Sequence, residues 1–354
     1  MERTTHDIAA DFALLFPDYR PTALIELPQL ARTARVGRVF AKLESQRPFG
    51  NFKVLGGMIA GLRALMRASG AASLQDLLDG GTRATPLPRL LCASDGNHGL
   101  SVALAAQRAG SEACIYLPSS VGPLRVQRIA DRGARVVIVE GTYDDAVDVA
   151  AAAAASGDGL LIADTDPDPA NLVVADVMAG YRLIADEAGA QLRALGVHPG
   201  HAFIQAGVGG LAAAMADGLR GHLRDGARLV VVEPESAACV GRALESGEPT
   251  LLEGDLHSVA EMLACGLASA AALPALRGAG ASAVAVDESG LAEAVYLLRE
   301  AGGPESTPSG AAGLAGLLRV AGDPSLAQAH GLGGDSEVLV LVTEAAPQRD
   351  VNSA

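Results

Sequence analysis

Lys53 stands in the stretch Arg47-Pro48-Phe49-Gly50-Asn51-Phe52-Lys53-Val54-Leu55. An amine flanked by Phe, Val and Leu can be desolvated, which lowers its pKa and leaves a neutral nucleophile or base near neutral pH. Read alone, the stretch fits better a lysine whose ammonium reaches water past an apolar stem. A second candidate is the polar turn Ser94-Asp95-Gly96-Asn97-His98-Gly99. Ser, Asp and Asn are favoured helix N-caps, so a capped turn accounts for it, and the same groups can also grip a carboxylate. A third is Gln205-Ala206-Gly207-Val208-Gly209-Gly210-Leu211. Glycines between a strand and a helix let successive N–H groups converge on an anion, and they serve a ligand-free tight turn equally well. No Gly-Lys-Ser/Thr follows, which excludes a P-loop, and Ala212 stands where the strict dinucleotide pattern has its third glycine.

These turns owe their position to an alternation of apolar runs with helical patterns. Strands are predicted over 90–93, 113–117, 135–140 and 160–163, separated by helices to 107, over 124–131 and over 144–155. The alternation resumes with strands over 202–205, 228–233, 283–286 and 337–343 and helices over 211–219, 291–299 and 311–320. Strands spaced by helices of this length imply parallel βαβ units with right-handed crossovers, and sites of such sheets collect in the turns after the strands. An α/β protein follows, with a small domain over 57–165 and a large one from 1–56 and 166–354. Residues 247–282 read as loop-rich, and the alanine tract 150–155 as helix.

Composition limits the partners. Of 354 residues, 49% are hydrophobic and 3% aromatic with no Trp, so a substantial core must be built from Ala, Leu, Val and Ile. A formal net charge of −14 argues against a nucleic-acid partner, though backbone amides can still bind a small anion locally. The four cysteines are dispersed with no CxxC pair, so reduced thiols are expected and neither a metal nor a disulfide framework. Met1 to Asp7 has no apolar h-region and no uninterrupted apolar run reaches membrane-spanning length, from which a cytoplasmic protein is expected.

Taken together and in this order, the three segments resemble those of the fold-type II pyridoxal-phosphate enzymes, the threonine dehydratase and tryptophan synthase β-like group. The resemblance runs from about Arg20 to Glu344 and includes Tyr116-Leu117-Pro118 and the Arg132 to Val137 strand entry. It implies two open, twisted, mostly parallel sheets with flanking helices, and pyridoxal phosphate attached to Lys53 after Phe52. It also implies that Asn97 contacts the cofactor's ring oxygen, that Gly207, Val208, Gly209, Gly210 and Leu211 bind its phosphate, and that Thr343 partners its pyridine nitrogen. The turn Ser94, Asp95, Gly96, Asn97 and His98 would bind the substrate, and a homodimer is implied.

Within the group the chain is most similar to the diaminopropionate ammonia-lyase family, through Asp95 in the polar turn, Thr142-Tyr143-Asp144-Asp145, Asp164-Thr165, Val232-Glu233-Pro234-Glu235, Leu263 to Gly266 and Val342-Thr343-Glu344. That likeness implies elimination of ammonia from a 2,3-diamino acid to give pyruvate, with Lys53, Asp95 and Asp164 catalytic. A Ser/Thr dehydratase or β-replacement enzyme of the same fold is the alternative, and a non-catalytic cofactor- or amino-acid-binding module a second. The chain departs from the family in three places: Lys42-Leu43-Glu44-Ser45 for Lys-Asp-Glu-Ser, a shortened Phe49-Gly50-Asn51-Phe52-Lys53, and an insertion in Glu305-Ser306-Thr307-Pro308-Ser309-Gly310. These bear on the substrate, not on the cofactor.

Overall fold

Short runs of Leu, Val and Ala without polar alternation, such as Leu90–Ala93, become strands buried along their whole length, as parallel sheets covered on both faces require. In the computed structural model, which describes residues 5–80, 86–94 and 96–347, the chain begins α1 (Thr5–Leu15), β1 (Leu24–Glu26), α2 (Pro28–Thr33), β2 (Arg38–Leu43), α3 (Lys53–Ser69) and α4 (Leu74–Leu78). Next come β3 (Leu90–Ala93), α5 (Asn97–Ala109), β4 (Ala113–Pro118), α6 (Pro123–Ala130), β5 (Arg135–Val139), α7 (Tyr143–Ala155), β6 (Leu160–Leu161) and α8 (Leu172–Ala194). The chain continues through β7 (His201–Gln205), α9 (Gly210–Gly218), β8 (Arg228–Pro234), α10 (Cys239–Ser246), α11 (Leu273–Gly278) and β9 (Ser282–Val286). It ends with α12 (Glu288–Glu300), α13 (Pro308–Gly322), α14 (Pro324–His330) and β10 (Glu337–Val342).

Contacts divide the chain into two units, one of residues 1–20 and 53–183, the other of 21–52 and 184–354. The sequence boundaries after 56 and 165 therefore move to 52 and 183, and the N-terminal residues join the smaller unit. Close helix packing is the reason. Gly56 and Gly57 face outward from the first turn of α3, where added Cβ atoms would lie 2.5 Å from Tyr181 Cε1 and 2.6 Å from Ser101 Cβ. Each glycine costs a helix about 1 kcal/mol against Ala, and here it lets α3 lie directly on α5 and on the first half of α8.

The first unit holds a four-stranded parallel sheet in the order β5-β4-β3-β6. The second holds six strands, β1-β2-β10-β7-β8-β9, parallel except for β1. Its core packs Phe203, Val230, Val232, Val338 and Val340 against Leu314 and Leu317 of α13. Two open, mostly parallel sheets with flanking helices are the architecture expected from the sequence.

A buried ionic cluster fixes the segment after β2. Glu187 of α8 accepts from Lys42 Nζ at 2.7 Å and from Arg47 Nη2 at 2.6 Å, while Arg47 also pairs with Glu44 at 2.7 Å. Burial opposes the charge on Glu187, but Arg47 and Lys42 hold its carboxyl below the usual range. Beyond Arg47 the loop turns through left-handed backbone at Phe49 (φ 64) and Gly50 (φ 74). At the phenylalanine that conformation costs roughly 1–2 kcal/mol. Two hydrogen bonds offset it, Gly50 N to Arg47 O at 2.8 Å and Ala345 N to Gly50 O at 2.7 Å.

Candidate active site

In the first unit, Lys53 opens α3 and its Nζ lies 2.5 Å from Asp164 Oδ2, with side-chain exposures of 23% and 11%. Asp164 follows β6, whose extension is fastened when Ile162 N donates to Leu91 O at 2.8 Å. Burial alone raises the pKa of this carboxyl. The Lys53 ammonium, as a neighbouring charge and a hydrogen-bond donor, outweighs burial and holds Asp164 well below the carboxylate range. Cys92 and Tyr181 are buried within the electrostatic reach of the pair, and burial pushes both pKa values up, keeping thiol and phenol neutral.

The turn before α5 is built from backbone needs. Ser94 Oγ accepts from the amides of Gly96 and Gly99, each at 2.9 Å, and Gly96 adopts φ 143, open only to glycine. Asn97 is the first residue of α5. His98 is buried, and its Nε2 lies 3.0 Å from Ile162 O. A carbonyl can only accept, so Nε2 carries the proton, and burial keeps the ring neutral by lowering its pKa. His98 thus fastens the strand extension that leads to Asp164. Asp95 lies outside the described residues. Thr142 and Asp145, singled out for family likeness, form a capping box at the start of α7.

In the second unit, β7 ends at Gln205 and the chain turns through residues 207–211 into α9, with Gly209 at φ 97 as its N-cap. The amides of these five residues make no hydrogen bond among the described residues, while Val208 O accepts from Ser269 N at 2.8 Å. Successive unbonded amides at a helix N-terminus form a cradle for an anion. Thr343, just past β10, accepts on Oγ1 from Gln205 Nε2 at 3.0 Å. Glu233, at the end of β8, is buried and accepts from the amides of Val240 at 2.7 Å and Gly241 at 2.8 Å. Against their pull, burial raises its pKa to about 7.

Each unit by itself carries groups of a kind that suits pyridoxal phosphate, an amine beside a carboxylate in the first and a run of unbonded amides with a buried hydroxyl in the second. Residues 15–344 match the family described as pyridoxal-phosphate dependent enzyme. The chain belongs to that family. Among such enzymes, it is 33% identical over 356 residues to the diaminopropionate ammonia-lyase of Escherichia coli (strain K12), covering 95% of this chain and 87% of the relative. The Salmonella typhimurium diaminopropionate ammonia-lyase is 29% identical, with 98% and 90% covered. The holo diaminopropionate ammonia-lyase structure from Escherichia coli superposes with a TM-score of 0.84 at 30% identity, covering 97% of this chain and 89% of that one. The threonine deaminase structure from T.th. gives 0.76 at 26% identity, with 98% and 100% covered. Pyridoxal phosphate is accordingly the cofactor of this enzyme.

Of the site residues expected from sequence, Lys53 and Asp164 meet in the first unit, which also carries Ser94, Asn97 and His98. Phe52, residues 207–211 and Thr343 belong to the second. Sequence reasoning passed over Tyr181, Cys92, the Gln205 side chain and the ionic cluster around Glu187. Polar residues within apolar runs, such as Gln205 and Glu233, were the available signal. No helix among the described residues is long and apolar enough to cross a membrane, and no cluster of three or more His, Cys, Asp or Glu among them could hold a metal.

Proposed function

We propose that this enzyme expels ammonia from 2,3-diaminopropionate to give pyruvate and ammonia. The observation that carries the reading is the Lys53–Asp164 pair at 2.5 Å. Lys53 would hold the cofactor, with Phe52, Asn97, the amides of Gly207, Val208, Gly209, Gly210 and Leu211, and Thr343 as its further contacts. When bound, pyridoxal phosphate supplies an electron sink for the carbanion left by α-proton loss.

Asp164 accepts the proton that Lys53 must lose before its nitrogen can act as a base toward a substrate α-proton. Neutralising Lys53 removes the charge that depresses Asp164, so burial then raises the carboxyl pKa and turns it into an acid. In that state Asp164, with Asp95 as the second carboxyl, keeps the departing β-nitrogen protonated. A carboxylate also recognises a β-ammonium, which a β-hydroxy amino acid lacks. The substrate carboxylate is assigned to the turn Ser94 to His98. A homodimer acting in the cytoplasm accompanies this reading, its subunit number open to analytical ultracentrifugation.

The test is release of pyruvate or ketobutyrate from diaminopropionate, Ser and Thr side by side. Diaminopropionate should be preferred, and Asp164→Asn should slow turnover by about 10²–10⁴-fold while the cofactor stays bound. Preference for Ser or Thr would make the enzyme a dehydratase of the same fold. Lys53→Ala should abolish bound-cofactor colour and turnover together, and a variant keeping both would end the assignment.

A further inference from the structure

Glu233 is fully buried, and among the described residues no Lys, Arg or His pairs with it. Its two oxygens go to Val240 N and Gly241 N, early in α10, whose own N-cap, Ala238, has no capping side chain. Glu233 therefore caps α10 from a neighbouring strand, satisfying two donors that a helix start leaves open. Val240, whose amide it holds, and Cys239 just before it touch the turn after β7. Cys239 Sγ donates to Gly207 O at 3.3 Å, and Val240 Cγ2 lies 3.1 Å from where a Cβ on Gly209 would stand.

A Ser or Asp at position 238 could cap α10 without burying a carboxylate that lacks a cation, which is costly. What a local cap would not provide is a fixed distance between β8 and the first turn of α10. Since Glu233 consumes the Val240 and Gly241 amides, α10 offers little to an anion of its own, and its contribution is to brace the cradle of residues 207–211.

We propose that Glu233 is a positioning residue for the cofactor's phosphate, acting through Cys239 and Val240 on the Gly207–Gly209 turn. This rests on the reading of residues 207–211 as the phosphate cradle. The test is titration of the cofactor-stripped enzyme with pyridoxal phosphate and, separately, with pyridoxal, followed by the absorbance of the bound form. Glu233→Gln keeps the shape but turns an NH2 group toward a backbone N–H. It should weaken pyridoxal phosphate binding about tenfold or more and change pyridoxal binding by less than about twofold. Val240→Ala should show a smaller loss with the same selectivity, and it decides the matter if Glu233→Gln does not fold. Equal weakening of both ligands, or none, would reduce Glu233 to a structural cap and overturn the proposal. A wild-type enzyme with no preference for the phosphorylated ligand would overturn the cradle reading itself, and the proposal with it.

Discussion

The Gln205 side-chain amide donates to the Thr343 hydroxyl at 3.0 Å, with both residues buried. The same nitrogen reaches Gly310 O at 2.9 Å, so Gln205 joins the end of β7 to the start of α13 and the segment after β10. Because Thr343 Oγ1 accepts from Gln205, its own hydrogen remains to be donated, as the proposed contact with the cofactor's ring nitrogen requires. Thr343→Val should therefore fold and slow turnover by about 10-fold or more, as expected when one buried hydrogen bond to a charged or reacting group is lost. Gln205→Leu should lower unfolding stability by about 1–3 kcal/mol in urea titrations, since it strands buried acceptors.

Gly56 leaves no room for a side chain. A Cβ there would stand 2.5 Å from Tyr181 Cε1 and 2.9 Å from Val177 Cγ1, both on a helix too well packed to retreat. Gly56→Ala should destabilise the protein by about 1–3 kcal/mol despite the higher helix propensity of Ala, because overpacking outweighs that gain. Thermal unfolding checks the sign; a stabilised variant would show that α3 and α8 can part without loss.

Arg47 sits between two buried carboxylates, Glu44 and Glu187, at 2.7 Å and 2.6 Å. Arg47→Met would strand the Glu44 and Glu187 carboxylates in the core without their shared guanidinium, and breaking such a pair typically costs about 3–5 kcal/mol. Equilibrium unfolding should show that loss at pH 7. The loss should shrink when Glu44→Gln is added, since the second change removes one of the stranded charges.

The legibility of the sequence varied with the kind of interaction involved. The strands of the first sheet and β7 to β10 of the second were legible because parallel strands buried on both faces leave unbroken apolar runs, as in β3 and β8, whereas β1 and β2 were not expected from the sequence. The helix α8 was not, although it spans 23 residues, because its buried face mixes Asp176, Tyr181 and Glu187 with aliphatic residues and blurs the helical period. Lys53 could be named, but its exposure could not, since what covers it comes from residues more than a hundred positions away, such as Asp164. In the polar turn the small polar residues are legible, but the bonds from Gly96 N and Gly99 N to Ser94 Oγ and the strut role of His98, which depends on Ile162 O, are revealed by no local pattern. Within residues 305–310, Thr307 caps α13 and also donates to Glu344 Oε1 at 2.5 Å.

The pH dependence of stability should carry two slopes of opposite sign from Asp164 and Glu233. Asp164 is held below its ordinary value of 3.8, so the unfolded chain binds the proton more readily than the folded one. Its contribution is complete above the unfolded pKa and is lost as pH falls through 3.8 toward the folded value. Glu233 is raised from 4.5 to about 7, so the folded protein keeps a proton that the unfolded chain releases. Its contribution is complete below 4.5 and disappears as pH rises through about 7. That difference corresponds to on the order of 3 kcal/mol. Urea titrations of the cofactor-stripped enzyme between pH 4.5 and 7.5 should therefore show a downward slope that Glu233→Gln flattens. Asp164→Asn should leave that slope in place and remove part of the acid limb below pH 4. If Glu233→Gln leaves the neutral slope unchanged, the Glu233 carboxyl is already ionised well below pH 7, and its two amide bonds, not burial, set its charge.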